Sequence, residues 1–199
     1  MRLFQRFTLV VAFILLAITI FECSSKKNEG QTDEKIVPRI YKIDAVKSNG
    51  KNKATDFRFV ENGKESSFSE ITKGKVVLLN FWGTWCPPCR AELPDIIQIS
   101  KLYFKEQIIV IGVNMERDPA TATETVKSFA EKIGIPYRLF ISNPALEETY
   151  GGITGVPTTF IIDSHGNIAQ KFVGMKTKQV FIDALQNAIK SEMYNGSNK

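Results

Sequence analysis

Val76 to Trp82 is an apolar run interrupted only by Asn80. Strands buried on both faces read as continuous apolar runs, so this stretch predicts a central strand. Ile108 to Val113 has the same character and predicts a second. A helix is expected between them, from Pro87 to about Lys105, bent at Pro94 where an N–H is missing. Strand, helix and strand in this order make the two strands parallel neighbours through a right-handed crossover. Upstream, Asp56–Val60 and Lys64–Phe68 flank Glu61-Asn62-Gly63, a hairpin signal. Asp118-Pro119 predicts an N-cap and first helical residue for a helix to Ile133, stopped by Gly134. A short strand is expected over Tyr137–Ile141. Asn143-Pro144 then caps a short helix that ends at Gly151-Gly152. Thr158–Ile162 and Ile168–Val173 predict strands around the turn Asp163–Asn167. Thr177 to Met193 predicts an amphipathic helix with Val180, Ile182, Leu185 and Ile189 inward. The fold class is α/β, a mixed central sheet with helices on both faces.

Phe7 to Phe21 is an uncharged, mostly apolar segment after Arg2 and Arg6, and Glu22-Cys23-Ser24-Ser25-Lys26-Lys27 ends it. This pattern predicts an export signal. Three forms of it stay open: an uncleaved membrane anchor, a lipoprotein signal with Cys23 lipidated, and a cleaved signal. As a helix the segment spans about 22 Å, short of the ~30 Å hydrocarbon core unless Leu3 to Arg6 contribute. Glu22 stands where a lipoprotein signal expects a small residue, and no small-x-small pair marks an ordinary cleavage site. All three forms place the domain outside the cytoplasm, with the arginines on the cytoplasmic side. The expected organisation is anchor or signal over 1–23, a polar linker over 24–53 with a short extended piece at Ile40–Val46, one domain over 54–193 and a polar tail over 194–199.

The net charge of +5 over 199 residues comes largely from lysines before the first apolar strand. A basic linker is usually solvated, and it favours an anionic membrane surface. No compact basic patch with interleaved aromatics stands out, so no nucleic-acid partner is expected. Three cysteines cannot staple a domain of this size.

Two of them lie in Trp85-Cys86-Pro87-Pro88-Cys89, at the junction of the first strand and its helix. Thiols two residues apart can form and open a small disulfide ring. Cys86 at the helix N-terminus is the expected nucleophile, because unpaired N–H groups and the helix dipole favour a thiolate there. Pro87 and Pro88 stiffen the ring but remove donors near it. Cys89, one turn inside, is the expected resolving thiol. Glu92 lies three residues further on, so it shares that helical face. It is either a solvated glutamate or the group that takes the Cys89 proton. Val156-Pro157 opens a strand, either as a trans proline or as a cis proline that leaves the Val156 backbone for a substrate strand. Trp82 is expected in the core. Trp85 is expected partly exposed beside the thiols, as a substrate contact, and His165 is expected exposed in a turn.

Asn80-Phe81-Trp82-Gly83-Thr84-Trp85-Cys86-Pro87-Pro88-Cys89-Arg90, Glu92-Leu93-Pro94 and Gly155-Val156-Pro157-Thr158-Thr159-Phe160-Ile161-Ile162-Asp163 together resemble the thioredoxin superfamily, in its extracytoplasmic ResA/TlpA-like branch. The resemblance covers about 54 to 193. It implies a thioredoxin-like fold with an added N-terminal hairpin and a central insertion near 114–137. It also implies a redox-active Cys86–Cys89 disulfide, a cis Pro157 and a Glu92 that modulates the site. Cytoplasmic members carry a buried aspartate where this chain has Asn80, so a proton relay from that position is not expected. The branch implies a membrane-tethered, monomeric reductant of extracytoplasmic protein disulfides, including apocytochrome c, fed by a membrane thiol-electron donor. An oxidant or isomerase of the same fold is the alternative.

No cofactor and no metal are expected. A zinc site needs about four ligands, and two cysteines with His165 are too few. Gly83 stands where a peroxide-reducing site needs threonine, and Arg90 where covalent haem attachment needs histidine.

Overall fold

The computed structural model describes residues 37–102 and 107–196, and the N-terminal segment with Cys23 lies outside them. Nine strands and five helices follow one another in these residues. They are β1 (Arg39–Lys42), β2 (Ala45–Lys47), β3 (Asp56–Glu61), β4 (Lys64–Ser67), α1 (Phe68–Thr72), β5 (Val76–Trp82), α2 (Pro87–Leu102), β6 (Ile108–Asn114), α3 (Ala122–Ile133), β7 (Arg138–Ile141), α4 (Pro144–Thr149), β8 (Thr158–Ile162), β9 (Ile168–Val173) and α5 (Lys178–Gly196). The main sheet has the order β1-β7-β6-β5-β8-β9. β1, β7, β6 and β5 are mutually parallel, and β8 runs antiparallel to both β5 and β9. A small antiparallel sheet, β2-β3-β4, carries the Asn62-Gly63 hairpin.

Every residue of β5 is buried. Side chains alternate between sheet faces. Val76, Leu78 and Trp82 join one core with Leu93, Ile96 and Ile99 of α2, Val126 and Ala130 of α3, and Phe181 and Leu185 of α5. Val77, Leu79 and Phe81 join the other, with Phe57 and Phe59 of the small sheet and Leu146 of α4. Three long helices thus cover one face, and the small sheet with α1 and α4 covers the other. Phe140 of β7 ties the two sheets together, its ring centroid 4.9 Å from that of Phe57 and 4.8 Å from that of Phe59.

Four local features differ from expectation. The single extended piece expected at Ile40–Val46 within the linker is two strands, β1 and β2, and β1 pairs with β7 as the edge of the main sheet. Phe68 starts a helix instead of ending a strand. Ser67 and Glu70 form a capping box, with Glu70 N–H donating to Ser67 Oγ at 3.2 Å and Ser67 N–H to Glu70 Oε2 at 3.0 Å. Asp118-Pro119 does not cap α3 directly. The Asp118 carboxylate accepts from Ala120 N–H and Thr121 Oγ1 in a turn of its own, and α3 starts after Thr121. Phe181, fully buried, is the main inward residue of α5, and Val180 is half-buried.

Gly112 of β6 shows how tightly the helix-covered face is filled. A Cβ there would stand 2.6 Å from Leu139 Cδ2 and 3.0 Å from Trp82 Nε1. Overpacking a filled core costs about 1–3 kcal/mol. Gly112→Ala is therefore expected to lower the urea unfolding midpoint by that equivalent, with an unchanged m-value.

Candidate active site

The active-site dithiol follows directly from the end of β5. Met115 N–H donates to the Trp82 carbonyl at 2.8 Å, continuing the β5–β6 pairing to the strand end. The chain then turns through Gly83-Thr84-Trp85 into α2. Glu116 fixes this turn: Oε1 accepts from Thr84 N–H at 3.1 Å and from the Thr84 hydroxyl. The Trp85 indole folds back over Gly83, where a Cβ would meet its ring at 2.7 Å, and stays 55% exposed.

Cys86 and Cys89 are joined as a disulfide with a Cα–Cα distance of 5.3 Å, and both are buried. Pro87 and Pro88 have no N–H, so Cys89 supplies the first free donor of α2. Its N–H donates to Cys86 Sγ at 3.2 Å. Cys86 thus stands as side-chain cap of the helix, where an anionic sulfur is stabilised. The prolines leave one donor aimed at the sulfur. Opposite it, the Val156–Pro157 peptide is cis, and the Val156 carbonyl oxygen lies 3.5 Å from Cys86 Sγ. A hollow of about 220 Å³ opens beside the dithiol, lined by Trp85, Met115, Arg117, Ile153, Gly155 and Val156.

Glu92 is 2% exposed. Asn80 Nδ2 donates to its Oε1 at 3.2 Å and also to Thr159 Oγ1 at 2.9 Å. Lys176 N–H donates to its Oε2 at 2.8 Å. Burial pushes the Glu92 carboxyl up to about 7, against the Lys176 N–H, the Lys176 charge and the Asn80 amide, which favour the anion. The cause of the net rise is loss of hydration. Tyr137 and Trp82 border the same interior, and neither the phenol O–H nor Trp82 Nε1 has a protein hydrogen-bond partner. Burial, then the neighbouring Glu92, raises the Tyr137 phenol far above its ordinary range.

The structure thus brings Trp85, Cys86, Cys89, Val156 and Pro157 together at one end of the sheet, with Glu92 in the interior one turn along α2. His165 lies exposed in the β8–β9 turn, and Trp82 is buried. Glu116, Thr159 and Lys176 were not expected at the site. Asn80, read only as a missing aspartate, is the hydrogen-bond partner of Glu92. Strand alternation held a signal for it: Asn80 must share a face with Leu78 and Trp82, the face that α2 covers.

A model of the redoxin family matches residues 49–188. Thiol-disulfide oxidoreductase ResA of Geobacillus kaustophilus is 33% identical over 127 residues, which is 63% of this chain and 70% of that protein. A solved thiol:disulfide interchange protein of the thioredoxin family from Chlorobium tepidum is 34% identical with a TM-score of 0.60, over 69% of this chain and 95% of that one. The exposed lipoprotein thioredoxin of Streptococcus pneumoniae is 28% identical with a TM-score of 0.56, over 66% and 98%. With a bonded Cys86–Cys89 pair at the strand–helix junction of a thioredoxin-like sheet, the chain belongs to the redoxin family as a ResA-like thiol-disulfide oxidoreductase.

Proposed function

We propose that the chain is a membrane-tethered reductant of protein disulfides outside the cytoplasm, with apocytochrome c among its substrates. In its reduced form the Cys86 thiolate attacks one sulfur of a substrate disulfide. A Cys86–substrate bond forms and one substrate thiolate leaves. Cys89 then loses its proton to Glu92 and attacks Cys86 Sγ. The Cys86–Cys89 bond forms, the Cys86–substrate bond breaks, and the second substrate sulfur leaves as a thiolate. Two electrons pass from the dithiol to the substrate.

The observation that carries this reading is the environment of the pair: Cys86 Sγ lies 3.5 Å from the Val156 carbonyl, a small hollow opens between Trp85 and Val156, and Glu92 is buried one turn beyond Cys89 on the same helix. The hollow suits an extended peptide laid along the Val156–Pro157 backbone, with Trp85 against it. Re-reduction needs a thiol donor that delivers electrons across the membrane. The N-terminal apolar segment with its flanking arginines supports the tether, by anchor or by lipid on Cys23, and the pneumococcal lipoprotein offers a parallel for the lipid form. Among the described residues no helix is long and apolar enough to cross a membrane.

Equilibration of the full chain in glutathione buffers tests the direction of transfer. A reductant is expected to lie more reducing than glutathione, so that its oxidised form predominates in a buffer poised at the glutathione standard potential. A potential above that of glutathione overturns the assignment in favour of an oxidant.

A further inference from the structure

The segment between β9 and α5, Gly174 to Thr177, crosses from the Pro157 side of the site to α2. At its start Gly174 N–H donates to the Pro157 carbonyl at 2.8 Å. Two residues on, Lys176 N–H donates to Glu92 Oε2 at 2.8 Å. Beyond its end Lys178 N–H donates to Asp95 Oδ2 at 3.0 Å, and Lys178 Nζ to Gln98 Oε1 at 2.7 Å. The segment is a strap between the Val156–Pro157 backbone beside Cys86 and the helix that carries Glu92. Apolar packing does not hold it, since Val173 is 62% and Met175 52% exposed. The Lys176 side chain holds it instead. Its ammonium folds back and donates to the carbonyls of Val173 at 2.9 Å, Gly174 at 3.2 Å and Met175 at 3.4 Å. Three donors thus meet three carbonyls. Gly174 turns the chain beneath the ammonium at φ 78°, a conformation that suits glycine.

We propose that Lys176 is a positioning residue: its ammonium closes the strap on the strap's own carbonyls and so keeps one backbone donor on Glu92 and another on the Pro157 carbonyl. Lys176 touches no substrate in this role. It acts through Glu92, and the inference rests on the reading of Glu92 as the group that takes the Cys89 proton. Glu92 is faced by Asn80 of β5, by Lys176, by Cys89 and Asp95 on its own helix, and by Tyr137 at the start of β7. Thr159 of β8 is neutral and accepts from Asn80, and β9 and α5 bring the rings of Phe172 and Phe181 into the same core. Burial favours the protonated acid. The Lys176 N–H, the Lys176 charge and the Asn80 amide favour the carboxylate, and Asp95 opposes it. A slack strap withdraws the Lys176 N–H and leaves Glu92 holding its proton more tightly.

Lys176→Met in the full chain, oxidised at Cys86–Cys89, tests the strap by NMR. The amide of residue 176 survives the change, so its hydrogen exchange and that of Gly174 report the strap without any turnover. Both are expected to exchange at least about ten-fold faster, the scale of one hydrogen bond to a charged group. The Glu92 carboxyl, followed by its carbon shift and assigned with Glu92→Gln, is expected to bind its proton about ten-fold more tightly. The Leu79 amide, in the middle of β5, is expected to keep its rate. Lys176→Arg keeps a cation with several donors and is expected to stay within about two-fold of the wild type in all three readouts. Resolution of the mixed disulfide, read as release of the second substrate thiol, is expected to slow about five-fold in Lys176→Met at pH 7 and to regain the wild-type rate near pH 9, where Glu92 is ionised in both. Tighter proton binding with unchanged exchange at 174 and 176 makes Lys176 a charge acting through space and overturns the proposal. An unchanged titration overturns it too, as does a Leu79 amide that accelerates with the others. If exchange and titration move as expected while resolution does not, Glu92 loses its part in proton transfer and Lys176 keeps its place in the strap.

Discussion

Cys86→Ser is expected to abolish disulfide reduction, and Cys89→Ser is expected to arrest the protein as a mixed disulfide with its substrate. The two outcomes differ because the two sulfurs do. Cys86 receives the Cys89 N–H at 3.2 Å, which favours its thiolate, and lies 3.5 Å from the Val156 carbonyl, where a substrate strand is proposed to pair. Without that nucleophile, turnover is expected to fall at least about a thousand-fold, the scale seen when a covalent nucleophile is removed. With Cys86 present and Cys89 lost, the first exchange proceeds and nothing resolves it. The adduct is expected to survive non-reducing electrophoresis and to vanish on adding dithiothreitol. Trapped in cells, it names the substrate, and cytochrome c apoprotein in the adduct is the expected finding. A Cys86→Ser protein that reduces a model disulfide at the wild-type rate overturns the mechanism.

Most of the frame behind this chemistry is legible in the chain. The run Val76–Trp82 predicts the central strand because burial on both faces demands apolar residues at every position, and all seven are buried. The two prolines and cysteines place the dithiol at a helix start because only there do missing N–H groups cost nothing. What the chain hides is contact across long separations. Lys176 reaches Glu92 through its backbone N–H, across 84 positions, and a backbone donor leaves no mark on residue type. Glu116 holds Thr84 from the end of β6, in a stretch expected as an insertion. β1 is four residues, Arg-Ile-Tyr-Lys, short and charged at its ends, so the chain shows an extended piece there but not its pairing with β7. Ser67 and Glu70 are a different case. The capping box was there to be read, and the alternation of the preceding hairpin masked it.

Glu92 is expected to make the protein less stable as pH rises from about 4.5 to about 7, and its amide variant is expected to remove that dependence. The carboxyl lies at 4.5 when hydrated and at about 7 in the fold. Between these values the native state holds a proton that the unfolded chain has released, so unfolding free energy falls with pH. The contribution is complete below about 4.5, where both states are protonated, and lost above 7. At 1.36 kcal/mol per pH unit it amounts to about 3 kcal/mol. Glu92→Gln has the shape of the protonated acid and does not titrate. It is expected to match the wild type at pH 4 and to exceed it by up to about 3 kcal/mol at pH 8 in urea unfolding. Catalysis is expected to move the other way. The ionised carboxylate is the form that takes the Cys89 proton, so resolution of the mixed disulfide rises through pH 7 in the wild type. In Glu92→Gln that rise is expected to disappear and resolution to slow by about 100-fold, the lower range for a lost general base. The Cys86 attack, measured as the first burst of substrate thiol, is expected to change little. Parallel stability curves for the two proteins would mean that Glu92 is ionised throughout, held so by Lys176 and Asn80. A gain in stability with unchanged resolution would leave Glu92 a buried acid with no part in proton transfer. The predicted pairing of higher stability with slower resolution belongs to a carboxyl kept in the interior for its chemistry, at a cost to the fold.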